Sequence, residues 1–281
     1  MMLTSVPKGT EKKGKKGYEM NAPAEIAANY VKVGKGKIEL PTLNMFLLSL
    51  LAGMYIAFGA IGSQAAALLV QPAALGKFMG AWVFPTGLML VLLAGAELFT
   101  GNCLLVIPVL QGEAGLTGML RSWAIVFVGN LAGGMLIAAA ATKSHVFSQC
   151  DGAFAETVVR VAWAKTSLSF SDAFFRGILC NILVCLAVWA AFAARELAGK
   201  ILALYLPIMV FVLSGYEHSI ANAYFIPAGI FAAGEYGIAA EGLGWYGFFV
   251  RNLLPVTLGN IVGGVLIGII YWAVYLRGKK S

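Results

Sequence analysis

The octapeptide GYEHSIAN, Gly215–Asn222, lies between two apolar runs, ILALYLPIMVFVL (201–213) and AYFIPAGIFAA (223–233). Each run is shorter than the roughly 20 apolar residues that a helix needs to cross a bilayer. Joined through the octapeptide they are long enough, with a carboxylic acid and an imidazole near the middle. Ionisable side chains at membrane depth are rare and costly, so this stretch indicates a membrane segment with a functional centre.

The composition indicates a polytopic membrane protein. Of the 281 residues, 60% are hydrophobic and only 12% are charged, which is about half the charged fraction of an average soluble domain. Polar residues interrupt two of the six apolar blocks, the second and the fifth; the blocks are 43–70, 78–110, 116–141, 170–194, 199–233 and 248–276. We therefore expect an all-α protein with six transmembrane helices, of which the second and fifth are broken. The connection between the third and fourth blocks, 142–169, carries mixed charge and is expected to be a loop that faces outward.

The net charge of +7 is concentrated in the tails, with eight of the 20 Lys and Arg residues within 8–37 and three more within 277–280. By the positive-inside rule, both termini are expected to be cytoplasmic in a cell (plasma or inner) membrane. We expect a basic tail over 1–42 that carries a short amphipathic helix at the membrane surface. A six-helix membrane domain over 43–276 and a basic tail over 277–281 complete the chain. Binding of anionic lipid headgroups to the tail is an alternative, and nucleic acid is not an expected partner.

Two pairs of segments repeat. RSWAIVFVGNLAGGMLIA (121–138) matches RNLLPVTLGNIVGGVLIG (251–268) at an offset of 130, and GAELFTGN (95–102) matches GYEHSIAN at an offset of 120. Because each half, about 43–141 and 170–276, contains three blocks, the halves are expected to insert in opposite orientations. That plan occurs in many transporter folds, with binding sites near the midplane where broken helices meet.

The polar residues of the two octapeptides are the candidate site. His218 titrates near neutral pH when unperturbed, so it is a candidate proton relay, and a structural histidine is the alternative. Thr100 replaces Ile220 of the second half, and it either faces His218 or caps a half-helix that starts near Gly101. Glu97 and Glu217 are expected to accept hydrogen bonds from the N–H groups of the following half-helices.

Other candidates lie outside the octapeptides. Asn130 and Asn260 are repeat-related and are expected to brace the interruptions, next to G-x-x-x-G pairs that let helices approach closely. Lys165 precedes the fourth block and Asn181 lies inside it; Lys165 is either an anion attractor at a pore mouth or a solvated loop residue. The four cysteines show no metal-ligand spacing, so we expect no metal, cofactor or disulfide.

Four motifs in order, AELFTGN, GILCNILVCLAVW, GYEHSIANAYFIP and NLLPVTLGNIVGG, resemble the formate–nitrite transporter family over about residues 22–276. The resemblance implies an aquaporin-like fold, a homopentamer with one pore per protomer, and a protein that is not an enzyme. It implies that His218 is the central histidine, that Thr100 bonds to it, and that Lys165 is a vestibule lysine with Asn181 as its partner. It assigns apolar constrictions to Phe84 with Phe211 and to Leu88 with Phe99, and conserved structural positions to Glu217, Asn222 and Asn260. Arg176 departs from the family pattern, where an apolar residue is expected; it either reaches outward to headgroups or adds positive charge near the outer vestibule.

The expected substrate is a small monovalent anion of a weak acid, with formate ahead of nitrite and hydrosulfide. Burying an unpaired charge is costly, so we expect the anion to be protonated near His218 and to pass the apolar constrictions as neutral acid. Passage of the bare anion beside a protonated His218 is an alternative mechanism. A neutral-solute channel, or a membrane enzyme or receptor, is an alternative function.

Overall fold

The computed structural model describes residues 20–278, and within that range every regular element is a helix. The predicted tail regions 1–19 and 279–281 lie outside the described residues. The α-helices are α1 Pro23–Glu39, α2 Thr42–Ala67, α3 Ala73–Val83, α4 Thr86–Leu93, α5 Phe99–Asn102, α6 Val106–Leu110, α7 Leu116–Lys143, α8 Ala153–Thr166, α9 Phe170–Ala193, α10 Leu197–Ser214, α11 Ser219–Glu235 and α12 Leu254–Tyr275. Short 3₁₀ turns cover Cys103–Leu105 and Val146–Ser148, and a π-helix, Gly247–Leu253, leads into α12.

Six stretches among residues 20–278 are long and apolar enough to cross a membrane, and each overlaps one of the six predicted blocks. They are Thr42–Ala67, Ala73–Leu93, Leu116–Lys143, Phe170–Ala193, Leu197–Ser214 and Gly247–Tyr275. The segment predicted as a loop, 142–169, instead contains the 14-residue helix α8. This difference arises because α8 carries Glu156, Arg160 and Lys165 among its apolar residues, so its composition hides its helical pattern.

The chain runs back and forth between two ends of the helix bundle. At one, which we call the terminal end, Arg195 donates to Asn21 and Arg121 donates to Thr42. At the other, the loop end, Lys143 pairs with Glu235 and the indole of Trp163 donates to the carbonyl of Glu241. Because α2 starts at the terminal end and α9 starts at the loop end, α3 and α10 enter the bundle from different ends.

The amphipathic helix expected near the N-terminus is present as α1, and it packs against the bundle; its position at a membrane surface stays a prediction. Its apolar face is buried, and Tyr30, 1% exposed, reaches the carbonyl oxygen of Gly101 with its hydroxyl group. The amphipathic pattern was read correctly, but the apolar face meets protein rather than lipid.

The helices of the second and fifth blocks are interrupted at 94–98 and at 215–218, respectively. Gly95 and Gly215 occupy equivalent positions in the two octapeptides, and both have left-handed backbone torsions, with φ of 81° and 73°. Glycine adopts this conformation without steric cost, so it ends a helix efficiently. The residue after each glycine then donates to the carbonyl five residues earlier, Ala96 to Val91 and Tyr216 to Phe211. The same local signal therefore stops α4 and α10.

The long helices of each half pack backbone against backbone, α2 on α7 and α9 on α12. A Cβ atom on Gly133 would overlap the carbonyl oxygen of Leu50, and one on Gly263 would overlap that of Ile178. The close approach expected for the G-x-x-x-G pairs is confirmed. Packing of this kind holds membrane helices together, because burial from water contributes little between segments that lie in lipid.

Candidate functional site

Two buried asparagines support the two interruptions with the same set of hydrogen bonds. The Oδ1 atom of Asn130 accepts from the N–H of Phe99, and its amide donates to the carbonyls of Ser49 and Glu97. Asn260 accepts from the N–H of Ser219 and donates to the carbonyls of Gly177 and Glu217. The bracing role expected for these asparagines is therefore what their contacts provide at each interruption.

Each interruption also holds an ion pair that an asparagine completes. In the second half, Lys165 Nζ lies 2.9 Å from Glu217 Oε1, while Asn222 donates to Glu217 Oε2 at 2.6 Å. Phe225 adds a cation–π contact, with Lys165 Nζ 5.2 Å from the ring centroid. These contacts neutralise and desolvate the carboxylate together.

The first half has the same group. Lys37 Nζ lies 2.9 Å from Glu97 Oε1 and 3.1 Å from Asn102 Oδ1, and the amide of Asn102 donates to Glu97 Oε2. Sequence reasoning assigned Lys37 to a basic tail and missed this role. The spacing G-x-E-x-x-x-x-N, which both octapeptides share, indicates Asn102 as the partner of Glu97, as Asn222 is of Glu217. It does not indicate Lys37.

The carboxylates do not cap the half-helices, which corrects that expectation. Their oxygens are taken by lysine and asparagine side chains, and the leading N–H groups of α5 and α11 go to Asn130 and Asn260 instead. A flexible carboxylate gains more from a lysine donor, where both partners are charged, than from a backbone N–H, where only the carboxylate is charged.

His218 and Thr100 join the two interruptions. Thr100 Oγ1 lies 2.9 Å from His218 Nε2, and the other ring nitrogen, Nδ1, accepts from the N–H of Ala221 at 3.0 Å. Thr100 is fully buried and His218 is 3% exposed. Thr100 lies inside α5, which begins one residue earlier, and makes no side-chain cap there. Of the two roles considered for Thr100, the structure therefore has the contact with His218.

Asn181 contacts the Thr100 segment and not Lys165. Its amide donates to the carbonyls of Thr100 and Asn260 at 3.2 and 2.6 Å. The partnership between Lys165 and Asn181 implied by the family resemblance is therefore absent. The asparagine that contacts the Lys165 segment is Asn252, which donates to the carbonyl of Lys165 at 2.9 Å.

Asn252 was not anticipated from sequence. It is fully buried in the π-helix, and its Oδ1 accepts from Asn222 at 2.7 Å. π-helical turns often occur at functional sites because the extra residue re-aims a side chain. Asn252 directly follows Arg251, the first residue of the second repeated segment. The matching residue of the first segment is Ser122, so the comparison of the repeats did not mark Asn252 as a site residue.

Two cavities approach the His218–Thr100 contact from different sides. The larger, of about 460 Å³, is lined by Lys165, Glu217 and His218, together with Lys77, Phe84, Arg176, Phe211 and Phe225 among others. The smaller, of about 60 Å³, is lined by Lys37, Leu88, Leu98 and Asn102 among others. Leu98 is the repeat equivalent of His218, so only the larger cavity has an imidazole in its wall.

Apolar side chains lie between the cavities. The rings of Phe84 and Phe211 are in edge-to-face contact with centroids 5.5 Å apart, and Phe211 stacks on His218 at 5.9 Å. Leu88, four residues after Phe84, lines the smaller cavity. Phe99 is buried and packs on Trp123 and Phe127. Phe84 and Phe211 are thus brought together, whereas Phe99 lies in an aromatic cluster with α7 and does not line the smaller cavity.

The site combines charged, hydrogen-bonding and apolar groups. Within residues 20–278, no group of three or more His, Cys, Asp or Glu side chains could hold a metal ion. The groups present are two compensated ion pairs, one imidazole in contact with a hydroxyl, and apolar rings. Either cavity can receive a small polar solute, and only the larger one presents an imidazole to it.

Comparison with known proteins gives a single family. The sequence model of the family described as "Formate/nitrite transporter" matches residues 24–273. The "Probable formate transporter" of Methanothermobacter thermautotrophicus is 39% identical over 93% of this chain and 99% of its own length. "Formate channel FocA" of Escherichia coli strain K12 is 35% identical over 92% of this chain and 96% of its own length.

Solved structures agree with the sequence comparisons. A structure titled "Pentameric formate channel with formate bound" superposes with a TM-score of 0.75 and 34% identity, covering 84% of this chain and 98% of that one. A second, titled "FNT family ion channel", gives a TM-score of 0.78 and 31% identity, covering 89% of this chain and 97% of that one. Sequence and fold together establish that this chain is a multi-pass membrane protein of the formate/nitrite transporter family.

Proposed function

We propose that this protein is a channel for small monovalent anions of weak acids, with formate as its principal substrate, and that it performs no reaction on them beyond proton exchange. The observation that carries the proposal is the 2.9 Å contact between His218 Nε2 and Thr100 Oγ1. It joins the two interruptions beside an apolar barrier, with a lysine-lined cavity on each side.

An anion faces a high cost at the apolar barrier. Moving an unpaired carboxylate past Phe84 and Phe211 costs far more than moving the neutral acid. As water is stripped from the anion inside the larger cavity, its affinity for a proton rises. The positive end of α11, which begins at Ser219 beside the cavity, helps to hold the anion until a proton arrives. The neutral acid then crosses and ionises again in the smaller cavity.

The hydrogen bonds of His218 favour a neutral ring as the proton relay. A backbone N–H is always a donor, so Nδ1, which accepts from Ala221, carries a lone pair. The ring proton of neutral His218 is then on Nε2 and is donated to Thr100 Oγ1. Protonation of Nδ1 would break the bond to Ala221, which disfavours a permanently charged His218 as counter-charge for a bare anion. A net transfer therefore needs a transient cation: Nδ1 takes up a proton and releases the N–H of Ala221, Nε2 gives its proton to the anion, directly or through water, and the ring is neutral again.

The names of two relatives support formate as the substrate and a pentamer as the assembly. A structural relative is titled a pentameric formate channel with formate bound, and a sequence relative is a formate channel of Escherichia coli. We extend formate and a homopentamer with one pore per protomer to this chain. Nitrite and hydrosulfide are alternative substrates, since they are also small anions of weak acids.

Two observations support the proposal of two inverted halves. Asn130 and Asn260 make equivalent contacts, and α3 and α10 enter the bundle from different ends. Basic residues in the tails and at the terminal end support a cytoplasmic location of both termini in the cell membrane. The larger cavity then opens to the outside, and the lipid bilayer surrounds the six spans.

The test is uptake of formate, nitrite and hydrosulfide into proteoliposomes from about pH 5 to about pH 8, the range in which imidazole titrates. Formate influx is expected to rise as pH falls, because more protons are available to form the neutral acid. Two variants isolate the relay. His218→Asn keeps an acceptor for the Ala221 N–H but cannot exchange protons, and His218→Phe keeps neither.

Both variants are expected to lose about 10²-fold in flux, the usual contribution of a positioned proton-transfer group. A His218→Asn protein with the flux and pH dependence of the wild type would overturn the relay and leave the channel function standing. Equal flux of all three anions and of a neutral solute such as glycerol, with no pH dependence, would instead support a neutral-solute channel.

A further inference from the structure

Four charged side chains line the larger cavity: Lys77, Lys165, Arg176 and Glu217. Lys165 and Glu217 compensate each other at 2.9 Å, and only 17% and 5% of their side chains are exposed. A compensated pair acts as a dipole, whose field falls off much faster with distance than that of a single charge. The field that an approaching anion meets therefore comes from the other two cations.

Lys77 and Arg176 have no ion-pair partner within residues 20–278, and both are exposed. Lys77 is in α3 and Arg176 is in the second turn of α9, and both helices begin at the loop end. Lys77 precedes Phe84 by seven residues, which is two helical turns or about 10 Å on the same face. The chain of Arg176 is near the ion pair, because its carbonyl accepts from the N–H of Glu217.

We propose that Lys77 and Arg176 form an entrance station that concentrates small monovalent anions at the mouth of the larger cavity. Lys165 is then a fixed structural cation of the ion pair, and it contributes little to long-range capture. The inference rests on the proposed function. Of the two roles expected for Arg176 from the sequence, it selects the second, because the side chain adds positive charge to this cavity.

The expected size of the effect follows from Coulomb's law. Two unit charges about 10 Å from the anion raise its local concentration about fourfold in water without salt. At physiological ionic strength the Debye length is about 8 Å, and the enrichment falls to about 1.5-fold. Electrostatic capture changes the concentration at which flux is half-maximal, whereas the maximal flux is set deeper in the pore, at the apolar barrier.

The experiment measures formate uptake by the full-length protein in proteoliposomes as a function of formate concentration. It compares Lys77→Gln, Arg176→Gln and the double variant at about 10 mM and about 300 mM ionic strength, which span weak and strong screening. The charge-retaining variants Lys77→Arg and Arg176→Lys control for folding. Arg160→Gln is the matched control, because Arg160 is an exposed cation in α8 at the same end and does not line the cavity.

The double variant is expected to raise the half-maximal concentration about 2.7-fold at about 10 mM ionic strength, with maximal flux unchanged. Each single Gln variant is expected to raise it about 1.6-fold, and the effect of the double variant should fall to about 1.3-fold at about 300 mM ionic strength. The charge-retaining variants and Arg160→Gln should match the wild type.

A double variant that matches the wild type at low ionic strength overturns the entrance station, as does an effect that is as large at high ionic strength as at low. In both cases the wild type still transports formate, so the proposed function stands. A wild-type protein that transports none of formate, nitrite and hydrosulfide would overturn the proposed function itself.

Discussion

Lys165 and Lys37 each place the ammonium nitrogen 2.9 Å from the Oε1 atom of a buried glutamate, Glu217 and Glu97 respectively. The two lysines come from α8 and α1, outside the two repeated halves, and Lys165 reaches the interruption at 215–218 while Lys37 reaches that at 94–98. Both ion pairs are completed by an asparagine five residues after the glutamate. The scaffold thus repeats an electrostatic unit as well as a helix pattern.

Breaking the ion pair of the second half should destabilise the protein strongly. In Lys165→Met the Glu217 carboxylate stays buried without its cation, which costs about 3–5 kcal/mol. The double variant Lys165→Met/Glu217→Gln removes both charges and should recover a large part of that loss. Thermal unfolding of the purified protein in detergent gives the comparison.

The matched control is the exposed pair Lys143–Glu235, in which 75% of the lysine side chain is exposed. Lys143→Met should change the free energy of unfolding by about 1 kcal/mol or less. A melting midpoint for Lys165→Met as high as that of Lys143→Met would contradict the importance of the buried pair.

Removing the amide of Asn130 should destabilise the first interruption. Asn130→Leu keeps the volume but leaves the N–H of Phe99 and the carbonyls of Ser49 and Glu97 without their partner, and each buried group left unpaired costs about 1–3 kcal/mol. We expect poor yield of folded protein and a lowered melting midpoint. Ser122→Ala is the control, because the fully buried Ser122 hydroxyl has no partner among the described residues. Destabilisation of equal size in both variants would show that the loss has another origin.

The backbone contacts of Gly133 and Gly263 should not tolerate a methyl group. In Gly133→Ala the new Cβ would overlap the Leu50 carbonyl, and in Gly263→Ala that of Ile178, so α2 and α7, or α9 and α12, must separate. Gly234 in α11 has no atom within 4 Å of the added Cβ position. Gly234→Ala should therefore be neutral or stabilising by up to about 1 kcal/mol. Size-exclusion profiles and melting midpoints check both expectations, and an intact Gly133→Ala protein would argue against tight packing.

The hydroxyl of Thr100 should influence transport separately from its volume. Thr100→Val has nearly the same shape but cannot accept from His218 Nε2, so the ring loses a bond whose net value is about 1 kcal/mol. Formate flux should fall about fivefold or more, while Thr100→Ser should restore it. The pH dependence of flux is the second measurement, since a purely structural threonine would leave it unchanged. Wild-type flux and pH dependence in Thr100→Val would remove Thr100 from the relay.

Much of the fold could be predicted from the sequence, because the length and apolar composition of membrane helices identify them. All six spans, both interruptions and the close approach at Gly133 and Gly263 followed from the blocks, the repeated octapeptides and the glycine spacing. Helix α8 was missed, since its charged residues make it look like a loop. Helix α1 was read as amphipathic, but amphipathicity alone does not tell whether lipid or protein covers the apolar face.

The candidate site was predicted in its residues more than in its bonds. The contact between Thr100 and His218 followed from the family resemblance, whereas Lys37 and Asn252 were missed because each depends on a contact distant in sequence. Glu97 was given a capping role from its position at a helix break. The structure assigns the N–H groups there to Asn130, because a neutral amide that both donates and accepts fits three backbone groups at once.

Leu98 and His218 occupy the same position in the two repeats, and only one of them can exchange a proton. The barrier of the proposed pore is therefore asymmetric, although the framework around it has nearly two-fold symmetry. A passive pore cannot change the equilibrium distribution of its solute, whichever side holds the imidazole. Saturating flux, however, depends on the order in which the solute meets capture, protonation and the apolar rings. We therefore expect the proposed channel to rectify, with different maximal rates of weak-acid flux inward and outward when the gradients are reversed in sign and equal in size.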